Sequence, residues 1–113
     1  MTESEFEALA GAALAALESA FEAGLPDADV QAKGDGLLEI EFEDGTKMVI
    51  NRHAAAREIW VAAKTGGFHF RYDGSVWRDT RDGTELFAAV SKLASLQGGK
   101  PVELSAGAAG AKQ

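Results

Sequence analysis

The hydrophobic patterns of this chain, in their order, predict an α+β fold: a two-layer α/β sandwich with two terminal helices packed on one face of an antiparallel β-sheet. Three observations carry the prediction. Apolar residues recur at helical spacing from Phe6 to Phe21 and again from Leu86 to Leu96. Between these stretches, from Gly36 to Thr80, apolar residues keep to alternate positions in short runs divided by glycine-containing turns, as strands do when one face is covered and the other meets water. Only one face of that meander is apolar throughout, so both helices must cover the same face.

In the first helix, Phe6, Leu9, Ala10, Ala13, Leu14, Leu17, Ala20 and Phe21 form the apolar stripe. Ser4 followed by Glu7 fits a capping box at its start, and Gly24 with Pro26 beyond it marks its end. A first strand is expected over Asp29 to Lys33, and Gly34-Asp35-Gly36 turns into the second, where Leu38, Ile40 and Phe42 alternate with Glu39 and Glu41. Glu43-Asp44-Gly45 predicts a hairpin with a type I′ turn, which makes the second and third strands antiparallel neighbours. Met48 and Ile50 alternate with Lys47, Val49 and Asn51 in the third. His53-Ala54-Ala55-Ala56 breaks the two-residue period and reads as a connection. The fourth strand is Arg57 to Lys64, with Ile59, Val61 and Ala63 inward. Thr65-Gly66-Gly67 turns into the fifth, with Phe68, Phe70 and Tyr72 inward. Asp73-Gly74 leads to a sixth strand, Ser75 to Thr80, with Trp77 at the sheet margin. Asp82 with Glu85 fits a second capping box before Leu86, Ala89, Val90, Leu93 and Leu96, and Gly98-Gly99 ends that helix. Residues 1–97 are thus expected to form one domain and 98–113 a Gly/Ala-rich tail, largely disordered, in which Pro101, Val102 and Leu104 are the residues able to dock.

Composition narrows the function classes. A chain of 113 residues is long enough to bury one core without staples, and with no cysteine it has no disulfides, thiolate metal sites or cysteine nucleophile. No apolar run approaches a membrane span and the first residues are acidic, so a soluble cytoplasmic protein is expected, with neither membrane nor nucleic acid as partner. The net charge of −7 is localised. Residues 1–32 carry seven acids and no Lys or Arg, whereas from Lys33 onward eleven acids face eleven Lys and Arg. At 100° per residue, Glu7, Glu18 and Glu22 fall within roughly 60° of one another on the first helix, and Asp27 and Asp29 extend the line toward the sheet. The charged face that any solvated helix carries explains this line without a ligand; against that, an ordinary solvated helix mixes its signs, which this one does not.

Two further features are singled out on the outer sheet face. Trp60 falls among polar residues there, with Asn51 and His69 on the flanking strands, and a tryptophan ringed by polar groups is the profile of a binding anchor. Cross-strand packing with Val49 or His69 explains the same placement without a partner. His53 and His69 lack HxxxH or HxH spacing and any adjacent nucleophile, so they read as solvent-facing or hydrogen-bonding residues. Asp79 and Asp82, beside Arg78 and Arg81, read as salt-bridged loop residues. The glycine clusters lack the strand and helix context of a phosphate cradle.

At Ile50-Asn51-Arg52, Ile59-Trp60-Val61-Ala62, Lys64-Thr65-Gly66-Gly67-Phe68-His69-Phe70 and Val76-Trp77, in this order and spacing, the chain resembles the frataxins, in particular their bacterial CyaY branch. The resemblance implies a frataxin-like sandwich and a non-enzymatic iron-binding protein that assists or regulates iron–sulfur cluster assembly. It implies contact with cysteine desulfurase and scaffold proteins, no tightly bound cofactor, and a monomer with iron-dependent oligomers as a further state. It places weak Fe²⁺/Fe³⁺ binding on an acidic ridge, here Glu3, Glu7, Glu18, Glu22, Asp27 and Asp29, and partner contacts on Asn51, Trp60 and His69. Ser19 and Ala23 stand where a second carboxylate is common, Lys33 falls late in the first strand, Ala55 replaces a frequent proline, and Glu58 a frequent glutamine. A thinner ridge implies weaker iron binding.

Carboxylate oxygens are hard ligands for Fe²⁺, Fe³⁺, Mn²⁺, Mg²⁺ or Ca²⁺, and on a helix surface they cannot close a cage, so any site is open, hydrated and weakened by salt. Two alternatives stay open: a metal-independent acidic interaction domain, and an iron-oxidising or iron-storing protein. The second needs a di-iron carboxylate site, and neither helix has an ExxH pair.

Overall fold

A computed structural model of the chain describes residues 1–34 and 36–105. Its elements are helix α1 (Glu3–Gly24), strands β1 (Asp29–Lys33), β2 (Leu37–Glu41), β3 (Lys47–His53), β4 (Glu58–Ala63), β5 (Gly66–Tyr72) and β6 (Trp77–Asp79), and helix α2 (Leu86–Gly98). The six strands pair in chain order, each antiparallel to the next. One continuous core joins Phe6, Leu17 and Phe21 of α1, Leu38, Ile40, Ile50, Ile59, Val61 and Phe70 of the sheet, and Leu86 and Val90 of α2. The strand residues in that core are the ones that alternation places inward, so the two-layer sandwich follows from the pattern.

Several local features depart from expectation, each for a physical reason. The cap of α1 is Thr2 rather than Ser4: its Oγ1 accepts from the Glu5 N–H at 3.1 Å while its own N–H donates to Glu5 Oε1 at 2.8 Å. Both T-x-x-E and S-x-x-E fit the capping pattern, and the earlier one adds backbone hydrogen bonds and sets Glu3 and Glu5 against the positive end of the helix dipole. The β2–β3 hairpin is not type I′. Gly45 has φ +87°, Asp44 keeps a negative φ, and the Gly45 N–H donates to Phe42 O at 2.9 Å, as in a type I turn followed by a bulge. The side chain of Asp44 accounts for the choice, because its Oδ1 accepts from the Thr46 N–H at 2.9 Å.

His53 belongs to β3, opposite Glu58, and is not part of the connection. The turn that follows ends at Arg57, the one non-glycine residue with positive φ, +56°, among the described residues; its N–H and its guanidinium both donate to Ala54 O. Trp77 sits on the edge strand yet is 6 % exposed, packed edge-on against Phe6 with centroids 6.0 Å apart. Glu85, not Asp82, caps α2 by accepting from the Phe87 and Ala88 N–H groups. Gly83 at φ +79° cannot sit in a first helical turn, and Asp82 instead accepts from the Thr84 N–H.

Gly99, left-handed at φ +75°, ends α2. The chain then turns back along the helix. The Ser95 hydroxyl accepts from the Val102 N–H at 2.9 Å and the Ser91 hydroxyl from the Leu104 N–H at 2.8 Å. Residues four apart on a helix and two apart on an extended chain both repeat at about 6 Å, so two serines one turn apart match alternate backbone groups. Leu104 is thereby buried over Gly24, and the segment from 98 to 105, expected as largely disordered tail, is held in place as far as Ser105. The remainder of the expected tail, 106–113, and Asp35 of the Gly34-Asp35-Gly36 turn lie outside the described residues. Among the described residues no helix is long and apolar enough to cross a membrane.

Candidate functional site

The outer face of the sheet, opposite the two helices, carries a set of interlocked side chains. Register places Asn51 and His69 on either side of Trp60, and His53 and Arg71 on either side of Glu58. Trp60 is therefore flanked in the sheet by the two residues the sequence assigns to partner binding. Its indole lies between two imidazoles: His53 at 3.9 Å and His69 at 4.4 Å between centroids, each within 8° of parallel. His53 stacks there with its Nδ1 buried and, among the described residues, without a hydrogen-bond partner.

Beneath this stack, Glu58 accepts from Trp60 Nε1 at 2.8 Å through Oε1 and from Arg71 Nη2 at 2.6 Å through Oε2, while His69 Nδ1 lies 3.5 Å from Oε1. Burial of Glu58 opposes its ionisation. The hydrogen bonds from Trp60 and Arg71 and the charge of Arg71 outweigh that cost and hold the carboxyl below its ordinary value. Asn51 donates to Arg52 O at 3.2 Å. Sequence reasoning missed His53, Glu58 and Arg71 as members of this group. The signal was present: Glu58 and Trp60 are two apart on one strand and so share a face, and extending the alternation of β3 by one more step brings His53 onto it.

The second candidate region is the edge formed by α1 and β1, the end strand of the sheet. Glu3, Glu7, Glu22, Asp27 and Asp29 are exposed and Glu18 is half-buried. Among the described residues none of these six carboxylates joins an ion pair. Asp29 accepts a hydrogen bond from Gln31 Nε2 at 3.0 Å. Elsewhere the acids are partnered: Glu39 joins Lys33 at 2.6 Å and Lys47 at 2.9 Å, and Asp73 joins Arg78 at 2.6 Å. Asp79 contacts Arg81, whereas Asp82 holds its loop without an ion pair among the described residues and Arg78 turns to Asp73, so there only part of that loop is salt-bridged. Among the described residues no three His, Asp or Glu side chains converge on a point where an ion would sit. The edge can attract cations or a basic surface but encloses neither.

The Frataxin-like domain family model matches residues 1–100. The chain belongs to the frataxin-like family. Its relatives include the iron-sulfur cluster assembly protein CyaY of Dechloromonas aromatica, 54% identical over 104 residues that cover 92% of this chain and 99% of the relative. The protein of the same name from Cupriavidus metallidurans is 53% identical over 107 residues, covering 92% and 96%. Among solved structures, the frataxin of Psychromonas ingrahamii superposes with a TM-score of 0.84 at 31% identity, covering 93% of this chain and 99% of that one. A yeast frataxin, at 24% identity and a TM-score of 0.64 over 88% of each chain, shares the fold. The frataxin resemblance and the frataxin sandwich expected from the sequence both hold.

Proposed function

We propose that this frataxin-like protein is an iron-binding adaptor and regulator of iron–sulfur cluster assembly, without catalytic chemistry of its own. The observation that carries the reading is the row of carboxylates on α1, β1 and the turn between them that no cation of the described residues neutralises, in a family whose relatives are named as iron-sulfur cluster assembly proteins. Glu3, Glu7, Glu18, Glu22, Asp27 and Asp29 hold Fe²⁺ or Fe³⁺ weakly through an open, hydrated shell. Such a site releases metal readily, which suits delivery and sensing better than storage. Asn51, Trp60 and His69 form the contact with a cysteine desulfurase or scaffold protein. The protein acts in the cytoplasm as a monomer, with no tightly bound cofactor, and iron-driven oligomers form only when the ridge is loaded.

A second reading, a metal-independent acidic docking domain, draws on the lack of convergence among these carboxylates. Anaerobic titration of ¹⁵N-labelled protein with Fe²⁺ at two salt concentrations separates the two. Broadening confined to the six ridge residues and reduced by salt supports iron binding. Amide spectra that change nowhere leave docking alone.

A further inference from the structure

Glu58 points to the solvent side of the sheet and is nevertheless only 6 % exposed. Its two oxygens are committed to different groups, Oε1 to the Trp60 indole N–H and Oε2 to Arg71. The N–H bond fixes the indole within its own plane, and His53 and His69 fix it along the normal to that plane. All its freedom is thus taken up before any partner arrives. We propose that Glu58, held by Arg71, is a positioning residue that with His53 and His69 presents Trp60 to a partner edge-on, in one orientation.

The arrangement decides what the partner can offer. With both indole faces covered, an arginine or lysine of the partner cannot settle over the ring, because the cation–π position is already occupied. What remains is the ring edge directed away from Glu58. Aromatic edges carry the positive part of the quadrupole, so the matching group is an apolar slot rimmed by carbonyl oxygens. An indole ordered in advance also spares the partner the loss of side-chain freedom that docking otherwise imposes. The proposal rests on the reading of this face as the partner surface, and it adds the residue that prepares the face and the chemistry of the slot.

The test reads the indole N–H resonance of Trp60 in the full ¹⁵N-labelled chain, assigned with Trp77→Phe, alongside the affinities for cysteine desulfurase and for the scaffold protein, of which the one that Trp60→Ala weakens is the readout. Glu58→Ala is expected to shift and broaden that resonance and to weaken binding about tenfold, as the loss of one buried charged acceptor does. Glu58→Gln keeps an acceptor for the indole and is expected to recover the resonance and most of the affinity. If Glu58→Ala does not fold, Arg71→Met serves. Arg71 is exposed, and its loss frees Oε2, so a disturbed resonance and about threefold weaker binding are expected. A disturbed resonance with unchanged affinity, in either variant, overturns the positioning role while leaving the docking face intact. An undisturbed resonance in both overturns it directly. If Trp60→Ala binds both the desulfurase and the scaffold protein as tightly as the native chain does, the face is not the partner surface and both readings fall.

Discussion

The acidic edge and the outer sheet face organise their polar groups in opposite ways. Along α1, β1 and the turn between them, six carboxylates stand without an ion pair among the described residues, and five of them are exposed. On the sheet, Glu58 satisfies Trp60 and Arg71 at once, and Trp60 fills the space between two imidazoles. A row of loose like charges acts through its field, over a Debye length, on anything positive. An interlocked surface acts by contact on what fits it. The two therefore suit different tasks on one small domain, and salt separates them, since only the first depends on an unscreened field.

The comparison is tested most severely by Trp60→Ala. Affinity for whichever of the desulfurase and the scaffold protein docks on this face is expected to fall about 30-fold or more, the cost of a hot-spot aromatic. Melting temperature should drop only a few degrees, and Fe²⁺ broadening along α1 should not change. An unfolded variant would mean that the indole is needed for the core.

Next in size is the response of the edge to metal. Millimolar Mn²⁺ or Fe²⁺ at tenfold excess over Kd stabilises by about 1.4 kcal/mol through linkage, or several degrees in a calorimetric scan. The gain should shrink as NaCl is added. A scan unmoved by metal would count against the ridge as a cation site.

Acid sets the sheet face apart. Burial raises the Glu58 carboxyl, but its two hydrogen bonds bring it below the ordinary 4.5. A carboxyl with a lowered folded value stabilises above that ordinary value and ceases to as pH falls through the lowered one. The native chain should accordingly lose melting temperature more steeply below about pH 4.5 than Glu58→Gln does. Asp73, taken to about 2 by the Val76 N–H and by Arg78, sharpens the lower end of the same limb, and Asp73→Asn should flatten it.

The smallest effect is at the edge itself. Glu18 and Glu22 are one helical turn apart, so replacing both by Gln removes a like-charge pair worth about a few tenths of a kcal/mol. Melting temperature should rise slightly, the metal-dependent gain should vanish, and the Trp60 indole resonance should stay where it is. A resonance that moved would mean that the edge and the sheet face are coupled.

How much of this is legible in the sequence follows from the range of the interaction concerned. The sheet is legible because alternation is a local signal repeated in every strand, as in Leu38-Ile40 and Ile59-Val61. The ridge is legible as a line because the helical angle alone fixes it. Its lack of partners is not, since Lys33 and Lys47 choose Glu39 only once three strands are paired. His53 is hidden by the run Ala54-Ala55-Ala56, which favours no conformation strongly enough to reveal where β3 stops. The left-handed Arg57 that closes this turn carries none of the usual glycine or asparagine signal. Thr2 against Ser4 is an ambiguity of two residues between hydroxyls that both fit the capping pattern, whereas at α2 the usual preference for aspartate as N-cap points to Asp82 and the structure uses Glu85.

The order of the elements has a consequence for synthesis. Every sheet pairing links neighbours in the chain, so the meander can assemble while the polypeptide is still emerging from the ribosome. Its inner face cannot be closed then, because Leu86, Phe87, Val90, Leu93 and Ala94 all follow the last strand. Until α2 and Leu104 leave the exit tunnel, Ile50, Val61 and Phe70 have only α1 to cover them, which is the interval in which a sheet aggregates. Stalled chains exposing residues 1–82 should be cut readily by protease, and those exposing 1–105 should resist. Equal resistance would mean that α1 alone is sufficient to close the core.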